Sequence, residues 1–393
     1  MKLLIAAVLG CAWATSGVLG PAAGAAETNT LSIEELADGW ILLFDGETDF
    51  GWKAGSKANW KVADGVISVS AGDKGLLHTT SEFADFVLKV DFRNPKGTNS
   101  GIFLRTPAEP KDPTSDCYEL NIADVSVSPF PTGSFVGRQK AEGNHDSSAW
   151  RTFTVKAEGS HFTVALDGQR VLDYVDRKPL ARGFIGLQFN SGPVEFRNVK
   201  LKPLALEPIF NGRDLTGWRA EPGKTSVFSA TPAGELNVKN GPGQLEFQGQ
   251  LTDFVMQLEI ISNGKSLNSG IFFRNIPGKP GQGYECQIHN GYKDGDRTKP
   301  VDGGTGGIYR RQAARRVVPN DFEWFRETLV VSGLHMAAWV DGYQVSDWTD
   351  PRPPHENPRE GSRRAAGTLS IQGHDKTTDL SFRKLSVAEM APR

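Results

Sequence analysis

The chain repeats itself once, and that repeat limits the folds open to it. Phe44-Asp45-Gly46 leading to Trp52 recurs as Phe210-Asn211-Gly212 leading to Trp218. The run from Asn99 to Arg105 recurs from Asn268 to Arg274, differing only where Leu104 becomes Phe273. Tyr118-Glu119 returns as Tyr284-Glu285, Trp150 as Trp324, Asp167-Gly168 as Asp341-Gly342, and Gly183 as Gly367. A repeat this long is no solenoid; it is a duplicated domain. The copies span 40–203 and 208–389, and Pro203 to Pro208 forms a linker too short for independent tumbling. The spacing between copies grows from 166 residues (44 to 210) to 184 (183 to 367). The second copy has therefore gained residues, within Gly291 to Pro319 and within Asp350 to Arg364. Insertions in one copy suit either a site built there or neutral drift in surface loops.

Each copy reads as short alternating segments separated by turn residues, with no long helical period. In the first copy these include Trp60–Ser70, Phe86–Phe92, Gly101–Arg105 and Tyr118–Ile122. Asp167-Gly168 and Asp341-Gly342 are two-residue hairpin signals. Gly 44 and Pro 23 supply the many turns an all-β chain needs. Nine or so strands per copy predict an all-β, two-sheet jelly roll. Before the first copy, Ser32 and Glu35 have the spacing of a capping box on one helical turn.

Residues 1–26 read as a signal peptide: Lys2 begins it, an apolar run follows, and Ala23-Gly24-Ala25-Ala26 offers a cleavage site. The expectation is an exported protein, periplasmic or secreted, with no membrane span in the mature chain. Cys117 and Cys286 then remain, one per copy, and are expected as buried free thiols rather than a disulfide. A net charge of -2 gives no footprint for nucleic acid, and the arginine-rich stretch Arg310 to Arg316 reads as a solvated loop.

The stretch Asn268 to His289 carries the chemistry. Alternation puts Glu285, Gln287 and His289 on one strand face, with Tyr284, Cys286 and Ile288 on the other. Gly270, Phe272 and Arg274 share a face of the preceding strand. Aligned pairing predicts one surface carrying Arg274, Glu285, Gln287 and His289.

Taken in order and spacing, these motifs resemble two tandem copies of the 3-keto-disaccharide hydrolase domain family. The resemblance runs through Phe210 to Trp218, Asn268 to Arg274, Tyr284-Glu285 with Gln287, Gly307-Ile308-Tyr309, Trp339 to Gly342, and Gly367 with Ile371-Gln372 and His374. It implies a concanavalin-like or laminin-G-like jelly roll, a carbohydrate substrate, and hydrolysis of glycosides oxidised to a ketone at carbon 3. The first copy departs from the pattern: Gln287, His289 and His374 become Asn121, Ala123 and Asn190. The second copy is therefore the expected working site, and the first is structural or sugar-binding.

A 3-keto sugar carries an acidic proton at carbon 2, so its aglycone can leave by elimination and water can then add. That needs a base, a cation or donors for the enolate oxygen, and an acid. Glu285 or His289 is the candidate base, Arg274 the candidate enolate partner and His374 the candidate acid. Tyr284, Gln287, Tyr309, Gln372 and Trp339 are candidate substrate contacts. Glu285 has an alternative role as a buried structural partner of Arg274, because the pair recurs as Glu119 and Arg105. Glu285, His289 and His374 also offer a two-His, one-carboxylate set for a divalent metal, without the tight spacing such sites often show. The other readings are a non-catalytic glycan-binding module and a structural envelope protein.

Overall fold

The computed structural model describes residues 27–392, apart from 144 and 146. The 1–26 leader lies outside the described residues. Two β-sandwiches of jelly-roll type follow one another, each an eight-stranded sheet packed on a five-stranded sheet. The duplication holds at the level of topology. In the first domain the five-stranded sheet runs Trp52–Ala54, Gly75–Thr79, Phe184–Phe189, Asn99–Thr106, Tyr118–Ala123. In the second it runs Trp218–Ala220, Gly243–Phe247, Thr368–Gly373, Ser269–Asn275, Tyr284–Ile288. Among the described residues, no helix is long and apolar enough to cross a membrane.

Local chemistry sets the elements. The expected capping box forms: the Ser32 hydroxyl accepts from Glu35 N, the Ser32 N–H donates to the Glu35 carboxylate, and Ile33–Ala37 is helical. Asp167 and Asp341 sit at φ 50° and 45°, each followed by a positive-φ glycine, the backbone a tight I′ hairpin requires. The expected single strand Trp60–Ser70 is instead two, Lys61–Ala63 and Val66–Val69. Asp64 and Gly65, both at positive φ, turn the chain between them.

The two large sheets differ for a physical reason. In the first domain Phe86–Arg93 alternates buried and part-exposed residues, as a strand with one wet face should. In the second, Phe254–Ser262 and Phe325–Ser332 are buried on both faces. Val255, Val330, Ala337 and Trp339 leave their own core and join that of the first domain. There the Trp339 Nε1–H donates to the Leu42 carbonyl at 2.8 Å. Leu42 N donates to Gly342 O at 2.8 Å, and Gln257 Nε2 donates to Gly39 O at 2.8 Å. Arg315 pairs with Asp45 at 2.8 Å and Arg182 with Asp253 at 2.7 Å across the same junction. Trp339 is therefore an interdomain core residue, 1% exposed, and not a sugar-stacking platform. Cys117 and Cys286 are free and buried.

Candidate functional site

The outer face of the second domain's five-stranded sheet carries a polar row that crosses every strand. Arg219 lies opposite Glu246, Glu246 opposite Ser370, Ser370 opposite Phe272, and Phe272 opposite Glu285. Beside that row, Gln244 lies opposite Gln372 and Gly270 opposite Gln287. Loops roof this face, so Glu246, Gln244, Gln287 and Glu285 are all buried. Buried polar groups need partners, and a run of them on a sheet's outer face costs free energy that packing alone does not return.

Glu285 is the centre of this surface. Arg359 Nη2 lies 3.1 Å from its carboxylate, and the same guanidinium sits 4.9 Å over the Phe272 ring. Arg359 comes from the extension between Gly342 and Gly367 that only the second copy has. Burial pushes the Glu285 pKa up to about 7; Arg359 opposes the rise, and the Asp302 carboxylate adds to it. Gly270 makes room for the side chain, since a Cβ there would lie 2.7 Å from Glu285 Oε1.

Gln287 donates to the Asp302 carbonyl at 2.9 Å and carboxylate at 3.0 Å. The same carboxylate accepts from Asn268 Nδ2 at 2.6 Å. His289 is half-buried; its Nδ1 accepts from Gly291 N at 3.1 Å, and burial lowers its pKa against the pull of Asp302 and Asp321. His374 is more exposed and lies 2.9 Å from Asp375. The charge of His374 is felt at both Glu285 and His289, so the three form one electrostatic group. The Tyr309 N–H donates to the Glu285 carbonyl at 2.9 Å, and its ring lies 6.0 Å from the Arg359 guanidinium. Gln372 Oε1 is buried without a partner.

Two expected members are elsewhere. Arg274 does not share the Glu285 face. It sits at φ 51°, where the register breaks between Phe272 and Asn275, and this bulge turns its side chain away. There it is fully buried and donates to the carbonyls of Thr252, Gly333 and Arg363 and to the Asp253 carboxylate. Arg105 repeats this with Ala84, Gly159, Leu180 and Asp85. Both arginines tie loops to the sandwich. Tyr284 faces the core: its ring stacks on Phe273 at 5.5 Å and its hydroxyl donates to Asp350 at 2.7 Å.

Among the described residues, no group of three or more His, Cys, Asp or Glu side chains is arranged to hold a metal. The expected set Glu285, His289 and His374 is not gathered as such a group; Nδ1 of His289 accepts a backbone N–H and Nδ1 of His374 faces Asp375. Sequence reasoning missed Arg359, Asp302, Glu246 and Gln244. The insertions were the available signal for the first two, since both lie within them.

The family model described as 3-keto-alpha-glucoside-1,2-lyase-like domain matches residues 39–202 and again 205–388. A 3-keto-disaccharide hydrolase from Bacteroides thetaiotaomicron is 24% identical over 242 residues, covering 46% of this chain and 83% of that protein. A solved structure from Parabacteroides distasonis, provisionally named a glycosyl hydrolase, is 22% identical with a TM-score of 0.41, covering 45% of this chain and 100% of that one. The carbohydrate-binding module CBM66 from Bacillus subtilis is 16% identical with a TM-score of 0.30, covering 39% of this chain and 95% of that one.

Proposed function

This chain belongs to the 3-keto-alpha-glucoside-1,2-lyase-like domain family, and on that premise we propose that its second domain hydrolyses 3-keto-glycosides by elimination and hydration. The observation that carries the reading is Glu285, a buried carboxyl with a pKa of about 7 beside a guanidinium. A general base serves best when its pKa lies near the working pH, and this one is held there by burial.

The ketone at carbon 3 makes the carbon 2 hydrogen removable. The Glu285 carboxylate takes that proton, and the electron pair moves into the carbon 3 oxygen as an enolate. Arg359, already against Glu285, supplies the positive charge that favours the enolate. The enolate then collapses to a carbon 1–carbon 2 double bond and expels the group at carbon 1. His374 gives that leaving oxygen its proton, with Asp375 orienting the imidazole. Water returns across the double bond: His374 takes its proton as the hydroxyl adds to carbon 1, and protonated Glu285, after exchange with solvent, gives a proton to carbon 2. Both groups are restored and the net change is hydrolysis. Gln287, Gln372 and Tyr309 orient the sugar, and Asp302 holds Gln287. His289, whose pKa burial lowers against Asp302 and Asp321, is a further hydrogen-bonding group. Export through the 1–26 leader belongs to the same proposal.

The test is turnover of a 3-keto-glucoside by the purified chain, with Glu285→Gln and His374→Ala as variants. Losses of about 100-fold or more for Glu285→Gln support the reading. Near-normal turnover in that variant removes Glu285 as base, and no turnover by the parent chain removes the activity.

A further inference from the structure

The first domain presents the same sheet face in a different state. Its row reads Lys53, His78, Gly186, Phe103, Glu119 across the five strands. Where the second domain lays Arg359 on its glutamate, the first leaves a cavity of about 680 Å³ beside Glu119. Leu76 and Phe103, with Cys117, form a small apolar cluster apart from the main core, and both line this cavity. Two acceptors line it as well: Asn121 Oδ1 and Gln188 Oε1 are buried and have no hydrogen-bond partner. Asn121 is 1% exposed. An apolar floor flanked by unpaired acceptors fits a sugar ring, whose hydroxyls supply the missing donors.

A second cavity, of about 480 Å³ at the domain junction, adjoins this one across Ala108. The sheet row passes through both: Glu119 and Phe103 lie in the first, His78 and Lys53 in the second. At about 4.8 Å per strand the row is on the order of 19 Å long, the span of an oligosaccharide rather than one sugar. The junction end is basic. Lys53, Arg182 and, from the second domain, Arg364 line it, with Glu82 as the acidic member. Arg182 is held at 3.2 Å by Glu82 and at 2.7 Å by Asp253. Its Nη1, buried in a side chain 9% exposed, has no hydrogen-bond partner. Lys53 and Arg364 are exposed.

We propose that the first domain's outer sheet face and the domain junction form one groove that binds an acidic oligosaccharide without turning it over. The sugar rings lie on Leu76 and Phe103 and donate to Asn121 and Gln188. A carboxylate on the ligand meets the exposed Lys53 and Arg364; Arg182 is already paired with Glu82 and Asp253. Turnover is not expected, because Asn121, Ala123 and Asn190 stand where the second domain has Gln287, His289 and His374. The second domain supplies Arg364, so the groove is complete only with both domains docked. The proposal rests on the first domain's geometry and is independent of the reaction assigned to the second.

The experiment is isothermal titration of the full chain with tetragalacturonate and with cellotetraose at low salt. Tetragalacturonate is expected to bind at least tenfold more tightly. The surface double variant Lys53→Ala/Arg364→Ala should abolish that preference while turnover of a 3-keto-glucoside stays unchanged. Gln188→Ala should weaken both ligands alike. Circular dichroism and the thermal midpoint check that each variant is folded. The proposal is overturned if neither saccharide binds, if both bind equally, or if the preference survives the double substitution.

Discussion

Replacing Glu327 with leucine should stabilise this protein at alkaline pH and do so progressively less as the pH falls. Glu327 lies in the strand Phe325–Ser332, fully buried inside the second sandwich. Neither of its oxygens has a hydrogen-bond partner of sound geometry, and the neighbouring polar group is the Cys286 thiol. The corresponding first-domain residues, third in their strands, are Phe153 and Leu120, so the fold accepts an apolar pair there. Burial pushes the Glu327 pKa from 4.5 to about 7. The folded carboxyl thus binds its proton more tightly than the unfolded one. Its contribution is most favourable below 4.5, is lost as the pH rises towards about 7, and is flat above that. The interval is worth about 3 kcal/mol at 1.36 kcal/mol per pKa unit. The assay is urea unfolding of parent and Glu327→Leu from pH 4 to 8.5, read as the difference between them so that other titrating groups cancel. The variant's relative stability should rise by about 3 kcal/mol over that range. A difference that stays constant with pH refutes the reasoning.

Trp339→Ala removes a fully buried side chain at the junction and strands the Leu42 carbonyl, which should cost about 3–5 kcal/mol. Scanning calorimetry should then resolve separate transitions for the two domains; one transition at the parent midpoint counts against a shared interdomain core. Arg359→Ala takes away the cation that holds the Glu285 pKa down, so the acidic limb of a kcat/KM–pH profile should move to higher pH. An unmoved limb removes Glu285 as the titrating base. Mass spectrometry of the protein from its producing cell should find a mature N-terminus just after Ala25 or Ala26, and an intact Met1 contradicts export.

Much of the architecture was legible because it depends on patterns that survive duplication. Asp-Gly hairpins, alternating strands and the Asn-Ser-Gly-Ile-Phe motif each appeared twice at matching places. The face of Glu285 and Gln287 was legible too, since a strand's period of two fixes it. Arg274 was not, because the same period fails at a bulge and one positive-φ residue sends the side chain elsewhere. Tyr284 and Trp339 look like ligand contacts in sequence, but which side of a sheet is covered depends on the other sheet and on the other domain. Arg359 was invisible for a different reason. It lies in an irregular Pro-rich loop, where no periodicity relates sequence position to direction in space. The repeat located that loop without saying what it reaches. The shared Arg–Glu pair seemed to link scaffold and chemistry, and the structure separates them: the arginines bind loops, while the glutamates face outwards.

Elimination followed by hydration leaves a mark that direct displacement at carbon 1 does not. The decisive measurement is turnover of a 3-keto-glucoside in D₂O, with mass spectrometry and proton NMR of the sugar at early times and the free 3-keto sugar as exchange control. A deuteron at carbon 2 in each product molecule, formed faster than the control exchanges and lost with Glu285→Gln, is the predicted result. Product that keeps its original carbon 2 hydrogen, together with no primary isotope effect for a carbon 2-deuterated substrate, contradicts Glu285 as the carbon 2 base.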